Sequence, residues 1–187
     1  MKKSKSDTII RTAIMAMLTA VSIVLVYIIH FPLIPAAPFL EYDAADVPVL
    51  IGAMMLGPVS GIVTLLAVCF IQAITVSASS GWIGFMMHFI ASSVLVLISS
   101  IIYKRKKTTV SLIIGLVVGS LAMTAVMIPL NLVFTGIFMG AGTQTVVGML
   151  IPAIIPFNLL KAGINSAITF AVFTPIAQIL KKYVKVK

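Results

Sequence analysis

The sequence predicts an all-α integral membrane protein of six transmembrane helices, and three observations predict it. Of its 187 residues, 61% are hydrophobic and only 9% charged, too little polar surface to clothe a soluble core of this size. The apolar residues come in continuous runs rather than strict alternation, which favours helices over a β-barrel. At about 20 residues per span the chain has room for five or six. Apart from Lys161, the basic residues fall in three groups: Lys2, Lys3, Lys5 and Arg11; Lys104 to Lys107; and Lys181, Lys182, Lys185 and Lys187. All three lie on one side only if four spans precede Lys104 and two follow it. The positive-inside rule then places both termini in the cytoplasm. The net charge of +9 therefore reads as a topology signal beside the lipid bilayer, and no nucleic-acid partner is expected.

The first span covers about residues 8–29. Ala13, Ala16 and Ala20 share one of its faces, a small-residue spacing that lets a second helix approach closely in lipid. Residues 30–48 contain four prolines and three of the four acidic residues, which preclude a regular helix across most of the stretch. It reads as an extracytoplasmic loop capping a site. His30 reads as an interfacial residue; with no second ligand at metal-binding spacing, no metal site is expected. Asp46 reads as the N-cap of a short second span, 46–56, which Gly57-Pro58 ends. Residues 57–61 form the return turn, and the third span, about 62–76, carries Gln72 near its outer end. The fourth, 82–103, runs between Trp82 and Tyr103 as interfacial anchors, with Met86, Met87 and His88 in its first turns. The fifth, 110–134, places Asn131 just after Pro129. The Gly/Thr-rich residues 136–148 read as a second outer loop before a sixth span, 151–180. The whole is one six-helix membrane domain. The single cysteine, Cys69, permits no internal disulfide, and no cleavable signal peptide is expected.

Lys161 is the residue this arrangement must explain. A lysine near the middle of a bilayer costs about 3 kcal/mol on insertion scales, so it faces a cavity or a partner rather than lipid. On a helix Asn158, Lys161 and Asn165 fall at i, i+3 and i+7, on one face. Asn131, Gln72 and His88 lie in the outer parts of their own spans. Polar groups from several helices thus meet at one depth, describing a pocket open to the outside and not a continuous channel. Asparagine donates and accepts while lysine only donates. The set suits a flat heterocycle with an amide-like or dione edge, with Phe39, Tyr42, Trp82, Met86 and Met87 for stacking and apolar contact. Asn131 serves equally well as a helix-packing hydrogen bond. Catalysis is disfavoured: no activated serine has a histidine partner, no pair of carboxylates lies within the spans, and there is no phosphate-binding loop.

Four pieces of sequence carry a family resemblance. They are the alanine motif Ala16-xxx-Ala20; Phe39-Leu40-Glu41-Tyr42-Asp43-Ala44-Ala45-Asp46-Val47-Pro48 with Gly57-Pro58 after it; Pro129-Leu130-Asn131; and Pro156-Phe157-Asn158-Leu159-Leu160-Lys161. With these the chain resembles the substrate-binding S components of energy-coupling factor (ECF) vitamin transporters, most of all the riboflavin-specific type, from which it departs at Glu41. The resemblance implies an outward-facing pocket lidded by the loop after the first helix. It implies that Asn131, Asn158 and Lys161 hydrogen-bond the polar edge of the isoalloxazine ring. The further candidate ligand contacts are Phe39, Leu40, Tyr42, Gln72, Met87 and His88. It also implies that the face bearing Ala13, Ala16 and Ala20 docks on a membrane coupling subunit driven by two cytoplasmic ATPases. The protein would then carry riboflavin, and flavin mononucleotide as a second ligand, without being an enzyme and without a cofactor. The alternatives are an S component for another vitamin or heterocyclic precursor (folate, pantothenate or a queuosine-type base) and a non-transporting assembly subunit.

Overall fold

In lipid every backbone polar group must be satisfied within the protein, and this chain does so by being helical through most of its length. The structure, a computed structural model, describes residues 5–35 and 37–181. Lys2, Lys3, Lys182, Lys185 and Lys187 lie outside them. Among the described residues four helical stretches are long and apolar enough to cross a membrane: Lys5–Ile28, Ala78–Lys106, Thr109–Met139 and Thr143–Ile179. Two shorter apolar helices, Asp46–Leu56 and Pro58–Ile74, accompany them.

Helix α1 (Lys5–Ile28) buries Ile14, Leu18, Ser22 and Val26. Ala13, Ala16 and Ala20 lie on its exposed side. Helix α2 (Asp46–Leu56) has every residue buried and packs against α1, α3, α4 and α8. A helix apolar all round belongs in the centre of a bundle. Gly57, at φ 102°, makes the sharp reversal that only glycine adopts without strain. Pro58 then occupies the first turn of α3 (Pro58–Ile74), where its missing N–H costs nothing. The third helix therefore starts at residue 58 rather than 62, and the expected five-residue turn shrinks to one glycine. Arg11 donates to the Leu56 carbonyl and approaches Ser60 Oγ at 3.5 Å, fastening the C-terminal end of α2 to α1.

Helices α4 (Gly81–Lys106) and α5 (Thr109–Leu130) form the longest hairpin of the bundle. Lys107, at φ 52°, ends α4, and Thr108 and Ser111 form a reciprocal capping box at the start of α5. A π-turn, Asn131–Thr135, carries α5 on into α6 (Gly136–Met139). After Gly140, at φ 61°, helix α7 (Thr143–Met149) passes through a second π-turn, Leu150–Ile154, into α8 (Ile155–Lys181). Both π-turns lie at prolines, Pro129 and Pro152, whose missing N–H displaces the hydrogen-bond ladder by one residue. Residues 136–148 are thus mostly helical and not the expected outer loop. Only the stretch around Gly140 leaves the helix.

Residues 30–48 add a short two-stranded hairpin to the helical body. Strands β1 (His30–Pro32) and β2 (Glu41–Asp43) pair antiparallel, with Phe31 opposite Tyr42 and their rings 5.4 Å apart. The chain between them tucks Ala37 and Leu40 against Val146, Ala153, Ile154 and Phe157, a small core separate from the main one. This contact seats the hairpin on α7 and α8, over one end of the bundle.

Candidate functional site

Beneath the hairpin lies a cavity of about 150 Å³ walled by the near ends of α3, α4, α5 and α8. It sits at the N-terminal end of α4, about 24 Å along that helix from Lys104 at 1.5 Å per residue. Phe39, Leu40, Gln72, Met87, His88, Asn131, Asn158 and Lys161 all line it. Tyr42 does not: it is 3% exposed, lies behind the wall, and donates from its hydroxyl to Asn165 Oδ1 at 2.9 Å. Burial first, then the Asp43 carboxylate, pushes the Tyr42 phenol above its ordinary value, so it stays a donor. Trp82 and Met86 also lie off the wall; Trp82 is exposed and packs edge-on against Phe134. His30, read as interfacial, lines the cavity and pairs through Nε2 with Glu41 at 3.0 Å.

Lys161 is buried, and its charge is answered. Its Nζ donates to Asp43 Oδ2 at 2.8 Å and to the Glu41 carbonyl at 3.4 Å. Asp43 also accepts from the Ala45 N–H at 3.1 Å and from Gln72 Nε2 at 3.4 Å. Asn165 Nδ2 donates to the Asp43 carbonyl at 3.2 Å. Burial alone would raise the Asp43 carboxyl, but the Lys161 ammonium, helped by His88 and these hydrogen bonds, holds it well below the ordinary carboxylate range. A depressed carboxylate stabilises the fold above its unfolded value of about 3.9, and that stabilisation is lost as pH falls through and below it. Melting temperature in detergent should therefore drop as the pH is taken below about 4, and the Asp43→Asn variant should lack this component of the acid slope.

Asp46 departs from its expected role. No side chain caps α2, and the residue before its first turn is Ala45. The Asp46 carboxylate turns sideways instead, accepting from Ser92 Oγ at 2.9 Å and pairing with His88 Nε2 at 3.3 Å. A fully buried carboxylate needs strong donors, and those of α4 satisfy it where a cap bond would leave one oxygen bare.

The two asparagines share a local geometry set by the π-turns. Asn131 Nδ2 donates to the Met127 carbonyl and Asn158 Nδ2 to the Ile154 carbonyl, both at 2.8 Å. Because carbonyls only accept, each amide nitrogen is identified. Asn131 Oδ1 accepts from Thr135 Oγ1 at 2.8 Å. Asn158 Oδ1 and Gln72 Oε1 are buried acceptors with no hydrogen-bond partner among the described residues, each costing about 1–3 kcal/mol when unpaired. Both side chains belong to the cavity wall. One turn along α8, Lys161 supplies a charged donor beside them.

Sequence reasoning missed Asp43, which lines the cavity, and Asp46, which holds the wall residue His88 from behind. The signal was present: a lone intramembrane lysine requires a counter-ion, and two acids three residues apart stand immediately before an apolar helix. Their proline-rich surroundings read as solvent-exposed loop and hid it.

A helical membrane body with an apolar cavity at one end, fixed donors and unpaired acceptors in its wall, is the architecture of a membrane protein that binds a small solute. The chain belongs to the substrate-specific components of ECF transporters: the family model described as "ECF transporter, substrate-specific component" matches residues 11–173. It is therefore a transport component and not an enzyme. It is 33% identical to the riboflavin transporter RibU of Streptococcus thermophilus, over 92% of this chain and 85% of that one. With RibU of Staphylococcus aureus it shares 30% identity over 92% and 93% of the two chains. With the riboflavin transporter FmnP of Bacillus subtilis it shares 26% over 86% and 88%. Among solved structures, the S component of a bacterial ECF transporter superposes with a TM-score of 0.79 at 32% identity, covering 91% of this chain and 97% of that one.

Proposed function

We propose that this protein is the riboflavin-binding S component of an ATP-driven importer. It takes the vitamin from outside and delivers it across the cytoplasmic membrane with a membrane coupling subunit and two cytoplasmic ATPases. The single observation that carries the ligand assignment is that Asn158, whose Oδ1 has no hydrogen-bond partner among the described residues, and Lys161, one turn further along α8, both line an apolar cavity. The imide edge of isoalloxazine alternates carbonyl, N–H and carbonyl, and so answers both. Gln72 Oε1 is a second acceptor for a ligand hydroxyl or N–H, and Phe39, Leu40, Met87 and Phe157 cover the rings. Flavin mononucleotide presents the same ring edge and is the second ligand.

The same reading places the hairpin as the lid, both termini in the cytoplasm, and the exposed Ala13, Ala16 and Ala20 against the coupling subunit. Riboflavin transporters among the relatives support it, as does the single-ended cavity on the side away from Lys104–Lys107. The test is the absorbance of detergent-purified protein followed by riboflavin titration with flavin fluorescence. Saturable quenching at about one flavin per chain, unaffected by folate, pantothenate or a queuosine-type base, is expected. A flavin-blind protein whose stability rises with one of those competitors would overturn the assignment. Asn158→Ala should weaken riboflavin binding about tenfold, the loss of about 1.4 kcal/mol, in the same titration.

A further inference from the structure

The ion pair between Lys161 and Asp43 does more than bury a lysine. Both side chains line the cavity, so a ligand ring meets the two charges together. The pair is tight, 2.8 Å, and the carboxylate is 2% exposed. Its geometry is over-determined from three elements: the Ala45 N–H holds Oδ1, Gln72 of α3 reaches Oδ2, and Asn165 of α8 holds the Asp43 carbonyl. Lys161 can neither follow a ligand far from this position nor offer it an unbalanced charge. We infer that Asp43 is a specificity-determining residue of this site. By neutralising the Lys161 ammonium it leaves a directed donor without net charge, and so selects the uncharged flavin ring over its N3-deprotonated anion.

This inference rests on the flavin reading above. In a cavity of low polarity an unpaired ammonium attracts a neighbouring anion far more strongly than it would in water. Without Asp43 the site would stabilise the ring after loss of its N3 proton to solvent; with Asp43 the neutral pair withholds that stabilisation. The other titratable groups around the pair are Tyr42 on β2, Asp46 on α2, Cys69 on α3 and His88 on α4, with the His30–Glu41 pair on the hairpin. Asp46 is matched with His88 and Ser92, which leaves Asp43 as the direct partner of the lysine.

The ionisation of bound riboflavin can be followed by its own absorbance as pH is raised, at saturating ligand. In the unmodified protein the N3 midpoint should lie above that of free riboflavin. In Asp43→Asn it should fall by about one pH unit or more relative to the unmodified protein, as removal of an adjacent like charge requires. Asp43→Glu, which keeps the carboxylate, should restore it, whereas a purely structural role would perturb both variants alike. Equal midpoints in the unmodified protein and Asp43→Asn would overturn the inference. Should Asp43→Asn fail to run as a monodisperse species, Lys161→Gln decides: it must move the midpoint upward, and an unmoved midpoint overturns the inference. No riboflavin binding by the unmodified protein would instead overturn the ligand reading, and this inference with it.

Discussion

Replacing Lys161 with alanine is expected to produce two separable losses. Riboflavin affinity should fall about tenfold or more, because a charge-assisted hydrogen bond is worth about 1.5–3 kcal/mol. Stability should fall by about 3–5 kcal/mol, because the substitution strands the Asp43 carboxylate in the protein interior. Asp43 would keep only the Ala45 N–H and the longer Gln72 contact, too little for a group 2% exposed. Thermal unfolding in detergent reads the second effect and flavin titration the first. The double variant Lys161→Met, Asp43→Asn removes both charges, leaves two groups of similar volume, and should recover most of the stability while leaving affinity low. If the double variant stays as unstable as Lys161→Ala, the ion pair is not what the lysine contributes to the fold.

Gly115→Val should also have a large effect, through packing alone. A Cβ at Gly115 would stand 2.8 Å from the Ser99 carbonyl oxygen and 3.2 Å from its Cα, both backbone atoms that cannot rotate aside. One turn later a Cβ at Gly119 would meet Ser99 Oγ at 2.6 Å and the Leu95 carbonyl at 3.0 Å. Without a hydrophobic drive between helices in lipid, such close backbone approach is the main source of affinity between them. It also permits the 3.0 Å bond from Ser99 Oγ to the Gly115 carbonyl. Overpacking costs about 1–3 kcal/mol in ordinary cores, and here it separates the hairpin that carries His88 and Asn131. Folded yield and melting temperature should fall together. Gly163→Ala on α8, where a Cβ meets nothing within 4 Å, is the matched control and should leave both unchanged or slightly improved, as alanine favours helix over glycine.

The polar stripe of α8 was legible because helical periodicity is local. Asn158, Lys161 and Asn165 must share a face on any helix through that stretch, and burial of all three follows from lipid rejecting them. The reading failed where residue type and position pulled apart. Residues 136–148 look like loop by composition, yet most of them continue the helices on either side of Gly140, so the low propensity of glycine and threonine is overridden. Asp46 has the type and position of a cap, but its neighbours across α4 outbid the backbone for its oxygens. The π-turns beside Asn131 and Asn158 could not be read from proline positions alone, because proline equally permits a kink or a break.

The sequence by itself determined the membrane class, the helical body, the small-residue face of α1 and the presence of one inward-facing lysine with its asparagines. These rest on hydropathy, charge placement and a 3.6-residue period, quantities that need no long-range contact. Only the tertiary structure decided that α2 is the buried centre of the bundle, that Tyr42 braces Asn165 rather than the cavity, and that Asp43 reaches across 118 residues to neutralise Lys161. A counter-ion is chosen by distance in space, and a hairpin folded over the end of the bundle sets that distance.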